Sequence, residues 1–187
     1  MRSGRGGACA DCPGDPPFAA ARSLFPYEGE VREAIRAAKY GGMATPAGPV
    51  AERMFAAIRQ EWADLFPDGC RPVIVPVPIL PRKYFRRGFN LPALVGGRLA
   101  RLAGWPFDPL LLLRTRERLP QAALPLSLRE GNVRGAFAVS PGRGIPPEIL
   151  LLDDVYTSGA TAAECARTLK RAGAEHIVIL TVSRAVP

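Results

Sequence analysis

One stretch constrains this chain more than any other: Ile149 to Arg171, ILLLDDVYTSGATAAECARTLKR. Four apolar residues, Ile149 to Leu152, run without alternation into two acids, Asp153 and Asp154. An unbroken apolar run reads as a strand buried on both faces, as in a parallel sheet. A small-residue loop follows, Thr157-Ser158-Gly159-Ala160-Thr161. Then Ala162, Cys165, Ala166 and Leu169 fall at helical spacing on one face. Gly173 is placed to stop that helix. The expected order is strand, acidic turn, small loop and helix N-terminus. In open α/β sheets, ligands bind at the carboxyl ends of the strands, where these groups would sit.

The chemistry follows from that order. Thr157 to Thr161 bring backbone N–H groups and three hydroxyls to a helix N-terminus. Unpaired donors and the helix dipole there favour an anion such as phosphate. Gly159 lets the backbone approach a ligand closely or take positive φ. Asp153 and Asp154 would repel a phosphate. Carboxylates accept hydrogen bonds, so their natural partners are a vicinal diol or a hydrated Mg²⁺. A phosphate beside a diol is a sugar phosphate. The Walker pattern Gly-x-x-x-x-Gly-Lys-Ser/Thr is absent, which excludes a P-loop reading.

At 187 residues the chain is long enough for one domain with a full core. A hydrophobic content of 48% and a charged content of 22% describe a globular protein. The formal net charge is +8, and only Lys39, Lys83 and Lys170 among the 25 basic residues are Lys. Arg is the better bidentate ligand for phosphate. The Arg excess goes with the Ala, Gly and Pro of a GC-rich gene. It also suits a polyanionic partner, a pyrophosphorylated sugar or nucleic acid. No apolar h-region and no run of membrane-span length is visible. The expectation is a cytoplasmic protein, not inserted in a membrane, with reduced cysteines.

Residues 1–26 read as an N-terminal tail and 27–187 as the folded domain. The tail carries Cys9 and Cys12, a Cys-x-x-Cys pair that is half of a zinc ribbon. Zinc needs four ligands, and Cys70, Cys165 and His176 are scattered, so the pair reads as an incomplete remnant. Val31, Ala34, Ile35 and Ala38 make one helix face, ended by Gly41-Gly42; Val50, Met54, Ala57 and Ile58 make a second. Pro72 to Val77 reads as a buried strand. It runs into a basic loop in which Arg82, Lys83, Arg86 and Arg87, with Lys39 upstream, bracket Tyr84 and Phe85. Such a cluster binds pyrophosphate or stacks nucleic-acid bases. Leu91 to Leu102 is another helix. Pro109 to Arg114 and Gly135 to Val139 read as strands, joined by a long connection, Thr115 to Arg134. A connection of that length reads as a mobile lid. Ile177 to Val182 is the last strand.

LLLDDVYTSGAT resembles the phosphoribosyl pyrophosphate (PRPP) signature of type I phosphoribosyltransferases. The resemblance implies that fold: α/β, a central, mostly parallel sheet flanked by helices, with a mobile lid loop. It implies that Asp153 and Asp154 hold the ribose hydroxyls and the associated Mg²⁺, directly or through water. It further implies that Thr157, Ser158, Gly159, Ala160 and Thr161 hold the 5′-phosphate, with Val155 and Tyr156 between. The segments CADC, YEGEVREAIRAAKYGG, PVPILPRKYFRRGFN, RTRERLPQAALPLSLREGNVRGAF and LLLDDVYTSGAT together resemble the ComF family, in that family's order and over most of the chain. ComF proteins are bacterial phosphoribosyltransferase-like proteins often linked to competence. The resemblance implies Arg82, Lys83, Arg86, Arg87 and Gly88 on the catalytic pyrophosphate side. It implies Arg114, Gln121, Arg129 and Asn132 in or beside the lid. Leu91 stands where the family's RGFNQ has Gln, and only the last Cys-x-x-Cys of the family's zinc region is present.

Two functions remain open on these residues. One is a phosphoribosyltransferase that binds PRPP with Mg²⁺, releases pyrophosphate and acts by positioning and charge neutralisation. The other is a non-catalytic phosphosugar- or nucleotide-binding module of a DNA-uptake complex, touching single-stranded DNA or a helicase-like partner. A homo-oligomer is compatible with either. The only His is His176, so no Ser-His-Asp triad exists, and Ser158 has no base partner.

Overall fold

The computed structural model describes residues 16–40, 47–67, 69–115 and 133–185. Four parallel strands form the main sheet in the order β1-β6-β5-β2: β1 is Ala20–Pro26, β2 Val73–Pro76, β5 Glu148–Tyr156 and β6 His176–Arg184. Two short strands, β3 (Leu112–Arg114) and β4 (Phe137–Val139), pair antiparallel as a separate ribbon. The helices are α1 (Gly29–Tyr40), α2 (Ala47–Gln60), α3 (Pro81–Arg87), α4 (Leu91–Ala103) and α5 (Ala160–Ala172). The expected class, α/β with a parallel sheet flanked by helices, is the one found.

Strand alternation divides the core into two layers. Leu150, Leu152, Val178 and Leu180 pack with Met54, Val95 and Leu99 on the side of α1, α2 and α4. Ile149, Leu151, Ile177 and Ile179 pack with Cys165, Ala166 and Leu169 on the side of α5. Both faces are therefore covered, which is why β5 and β6 read as unbroken apolar runs. Each fully buried Leu or Ile here contributes about 1.5–3 kcal/mol relative to exposure.

Four expectations are corrected. Ala20–Pro26 belongs to the sheet: it forms edge strand β1, in register with Val178 to Arg184 of β6, so the boundary placed after residue 26 falls inside the fold. β5 runs through the acid pair to Tyr156, so Asp153 and Asp154 are strand residues and not a turn. The basic stretch is helical, not a loop. Pro81 sits in the first turn of α3, and Gly88 closes it in the left-handed region (φ 80°), its N–H donating to the Tyr84 carbonyl at 2.7 Å. The strands expected over 109–114 and 135–139 are three residues each and lie outside the main sheet.

Candidate functional site

The carboxyl ends of β2 and β5 open into a cavity of about 360 Å³. Besides β2 and β5, several elements bring side chains to it, among them α4 with Pro92. The end of α1 gives Lys39 and Tyr40, α3 gives Lys83 and Arg87, the end of β3 gives Arg114, and the start of α5 gives Thr161 and Ala162. A second cavity, about 380 Å³, lies at the amino end of β6 beside Phe18, Lys170, Glu175 and His176. It has no acid pair and no cation cluster, and it lies at the wrong end of a parallel sheet for a ligand.

The two acids are divided by the strand's alternation. Asp154 continues the Leu150–Leu152 face and meets α1: its Oδ2 lies 2.8 Å from Lys39 Nζ. Asp153 continues the Ile149–Leu151 face, toward α5, where it interacts electrostatically with Arg114 and Cys165. The backbone N–H of Asp154 donates to Asp153 Oδ1 at 2.8 Å. Burial, and then the charge of Asp154, push the Asp153 carboxyl up to about 7; that N–H, Lys39 and Arg114 act against the shift. Burial alone would lower the Lys39 ammonium, but the charge and hydrogen bond of Asp154 outweigh it, and the net shift is upward. Lys39 is therefore a full cation at neutral pH.

Gly159 ends the loop as N-cap of α5, at φ 74° and ψ −5°. No side chain caps this helix end, and the first intrahelical bond is Ala163 N–H to the Gly159 carbonyl, 2.8 Å. The N–H groups of Ala160, Thr161 and Ala162 thus have no acceptor within the helix. Tyr156 packs directly against the loop: a Cβ on Gly159 would lie 2.7 Å from Tyr156 Cζ. The Arg184 guanidinium stacks over the Tyr156 ring, its Cζ 4.9 Å from the ring centroid.

Facing the acids is a cluster of cations. Burial, then the charges of Arg114, Arg87, Arg82 and Arg86, lower the Lys83 ammonium. Arg114 is also lowered, chiefly by burial, and its Cζ sits 5.3 Å from the Phe137 ring centroid. Arg87 stacks on Tyr40 at 5.5 Å. The Nε atoms of Arg87 and Arg114 are buried and have no hydrogen-bond partner in the structure, and neither has Asn90 Oδ1. Asn90 Nδ2 donates to the Val77 carbonyl at 3.0 Å, pinning Asn90 at the end of β2. Buried donors left unpaired at the mouth of a cavity are what an anionic ligand would satisfy.

Of the residues singled out in the sequence, Lys83, Arg87, Arg114, Asp153, Asp154, Val155, Tyr156, Thr157, Gly159 and Thr161 line the cavity. Ser158, in the loop, and Ala160, the first residue of α5, do not line the cavity, and Arg82 and Arg86 lie on the exposed part of α3. Gln121, Arg129, Asn132, Cys9 and Cys12 lie outside the described residues. Sequence reasoning missed Asn90 and Tyr40; it grouped Lys39 with the basic stretch, whose Lys83 and Arg87 share the cavity with it, but did not pair it with Asp154. The signal for Asn90 was its place just before Leu91-Pro92 at a helix start. Nothing local in the sequence links Lys39 to Asp154.

The acid pair does not fit a divalent metal held directly by the protein. Asp154 Oδ2 is engaged by Lys39, Asp153 Oδ1 by a backbone N–H, and the two carboxylates leave the strand on opposite faces. Among the described residues, no three His, Cys, Asp or Glu side chains gather to hold a metal. Among them, too, no helix is long and apolar enough to cross a membrane.

No family model matches the chain. It is 36% identical over 112 residues to the DNA utilization protein YhgH of Salmonella typhi, covering 59% of this chain and 48% of that protein. It is 30% identical over 163 residues to competence protein ComFC of Streptococcus pneumoniae, covering 87% of this chain and 67% of that one. The chain thus spans about half the length of the first relative. Among solved structures, adenine phosphoribosyltransferase from Leishmania tarentolae superposes with a TM-score of 0.45 at 12% identity, over 91% of this chain and 92% of that one. Likeness at that level carries no functional argument.

Proposed function

The chain belongs to the ComF family of competence proteins, and from that premise we propose that its cavity binds PRPP and supports transfer of the 5-phosphoribosyl group. One observation carries the reading. A hydrogen-bond-accepting acid pair and an uncapped helix N-terminus stand at the end of one strand, across a single cavity from Lys83, Arg87 and Arg114. Sites for the 5′-phosphate, the diol and the pyrophosphate, the three groups that PRPP carries on one ribose, would then line a single cavity.

Each residue has a role in this reading. Asp153 and Asp154 accept hydrogen bonds from the ribose hydroxyls and fix the ring. The loop Thr157 to Thr161 and the first turn of α5 take the 5′-phosphate. Lys83, Arg87 and Arg114 neutralise the pyrophosphate as the bond from C1 breaks, in a cavity where buried donors act more strongly than in water. Magnesium would arrive with the ligand, held by pyrophosphate oxygens and water, and would supply charge neutralisation there.

Calorimetric titration of PRPP with Mg²⁺ tests the reading. The wild type should bind, and an Asp153→Asn/Asp154→Asn double variant should not. A folded wild type that takes up no PRPP sinks the proposal. Where binding is found, pyrophosphate release with candidate acceptors establishes transfer.

A second reading is favoured by one surface. On α3, Tyr84 and Phe85 are exposed, Phe85 to 85%, beside Arg82 and Arg86. Aromatic rings among cations suit single-stranded DNA, as a DNA-uptake module would require. That affinity should fall steeply with salt and with loss of Phe85 and Arg86. A salt-independent affinity would exclude this surface.

A further inference from the structure

Lys39 is the last basic residue of α1 and sits 115 residues before the acid it meets, yet it is the only cation the structure pairs directly with either acid among the described ion pairs. Both partners are largely buried, with side-chain exposures of 22% for Lys39 and 17% for Asp154. A buried ion pair of this kind is weak evidence of stabilisation, because desolvation offsets much of the attraction. Its position is more informative. It lies in the cavity wall, on the very carboxylate expected to meet the ligand.

The pair also leaves little room for a metal. Mg²⁺ needs near-octahedral oxygens at about 2.0–2.1 Å and usually one or two carboxylates. An ion placed on Asp154 would stand against the Lys39 ammonium. One placed on Asp153 would share it with the nearby Arg114 charge and would find Oδ1 already accepting the Asp154 N–H. A ribose hydroxyl has no such conflict. It can donate to the second lone pairs of either carboxylate without displacing a cation.

We propose that Lys39 is the resident cation of this acid pair: its ammonium fixes Asp154 for a sugar hydroxyl and takes the place a divalent metal would need, so that the sugar-phosphate half of the ligand binds without metal. This rests on the sugar-phosphate reading of the cavity. Lys39 is a positioning residue, acting through Asp154, and it ties α1 to the ligand-binding strand end.

Two probes separate the proposal from the reading beneath it. Ribose 5-phosphate carries the hydroxyls and the phosphate but no pyrophosphate to chelate Mg²⁺. It is titrated into the full chain in EDTA and again in magnesium chloride. The wild type should bind equally in both, Lys39→Met should lose affinity in EDTA by about tenfold or more, and Lys39→Arg should recover most of it. Wild-type binding that requires Mg²⁺, or a folded Lys39→Met that binds as the wild type does, overturns the proposal. The second probe is Mn²⁺ alone, followed by electron paramagnetic resonance. The wild type should leave it free, whereas Lys39→Met, with Asp154 no longer engaged, should take up one ion per chain. Mn²⁺ bound by the wild type and released by Asp154→Asn overturns the proposal even if Lys39→Met does not fold. If ribose 5-phosphate binds under neither condition, the sugar-phosphate reading fails, and with it this proposal.

Discussion

Tyr156 and Gly159 are in such close contact that no other residue fits at position 159: a Cβ there would overlap the Tyr156 hydroxyl and lie 2.7 Å from Cζ. The ring at the end of β5 is the floor of the loop, and Gly159 is the point where the chain crosses it. The φ of 74° adds a second demand for glycine. Strand end, loop and helix start are thereby held as one piece.

Gly159→Ala should therefore fail twice. Positive φ alone costs an L-residue about 1–2 kcal/mol, and the overlap forces the loop off the ring. The expected result is a lower melting temperature and loss of sugar-phosphate affinity by calorimetry. Adding Tyr156→Leu should remove the overlap but not the backbone strain, so recovery should be partial. An alanine variant with wild-type affinity would show that the loop is not held as described.

Asp153 should make stability depend on pH in a defined window. Its carboxyl is raised from 3.8 to about 7 in the folded chain, mainly by burial. Between those values the folded chain keeps a proton that the unfolded chain has released. Stability from this group is therefore full at low pH and is lost as pH rises toward 7, then stays level. Asp153→Asn, which keeps the acceptor for the Asp154 N–H, should not show that loss. In urea melts, the gap between variant and wild type should widen from about pH 4 to pH 7 and then hold. A gap independent of pH would contradict the assigned burial.

Arg82, Arg86, Arg87 and Arg114 should sort by position, not by charge. Arg87→Ala and Arg114→Ala remove donors that line the cavity, and pyrophosphate affinity should fall by about tenfold or more. Arg82→Ala and Arg86→Ala, outside the cavity, should change it by less than about threefold, as expected of screened surface charges. Equal losses at all four would mean that the cavity is not the pyrophosphate site.

Glu164 ties the return of the long connection to α5. It is 1% exposed, accepts the Gly135 N–H at 2.8 Å through Oε1, and pairs through Oε2 with Arg167 at 3.2 Å. Glu164→Ala leaves the Gly135 N–H without this acceptor and should cost about 1–3 kcal/mol. Glu164→Gln keeps an oxygen there and should cost less. Urea midpoints with unchanged slope measure both. An alanine variant as stable as the wild type would show that Glu164 does not anchor Gly135.

The segment from Ile149 to Gly173 determined its own structure, because every signal in it is local. The apolar run sets a two-sided strand, the small residues permit a tight loop, and the spacing of Ala162, Cys165, Ala166 and Leu169 sets the buried face of α5. The carboxyl-end placement of the acids follows from strand direction alone. Other features depended on neighbours distant in the chain. Ala20–Pro26 has no clear alternation and is a strand only because β6 offers it an open edge. α3 buries no residue, so no apolar face announced it, although Pro81 and Gly88 marked its ends. The pairing of Lys39 with Asp154 was the least legible feature. Charge attraction does not depend on sequence spacing, and only the packing of α1 beside β5 brings that ammonium to that carboxylate.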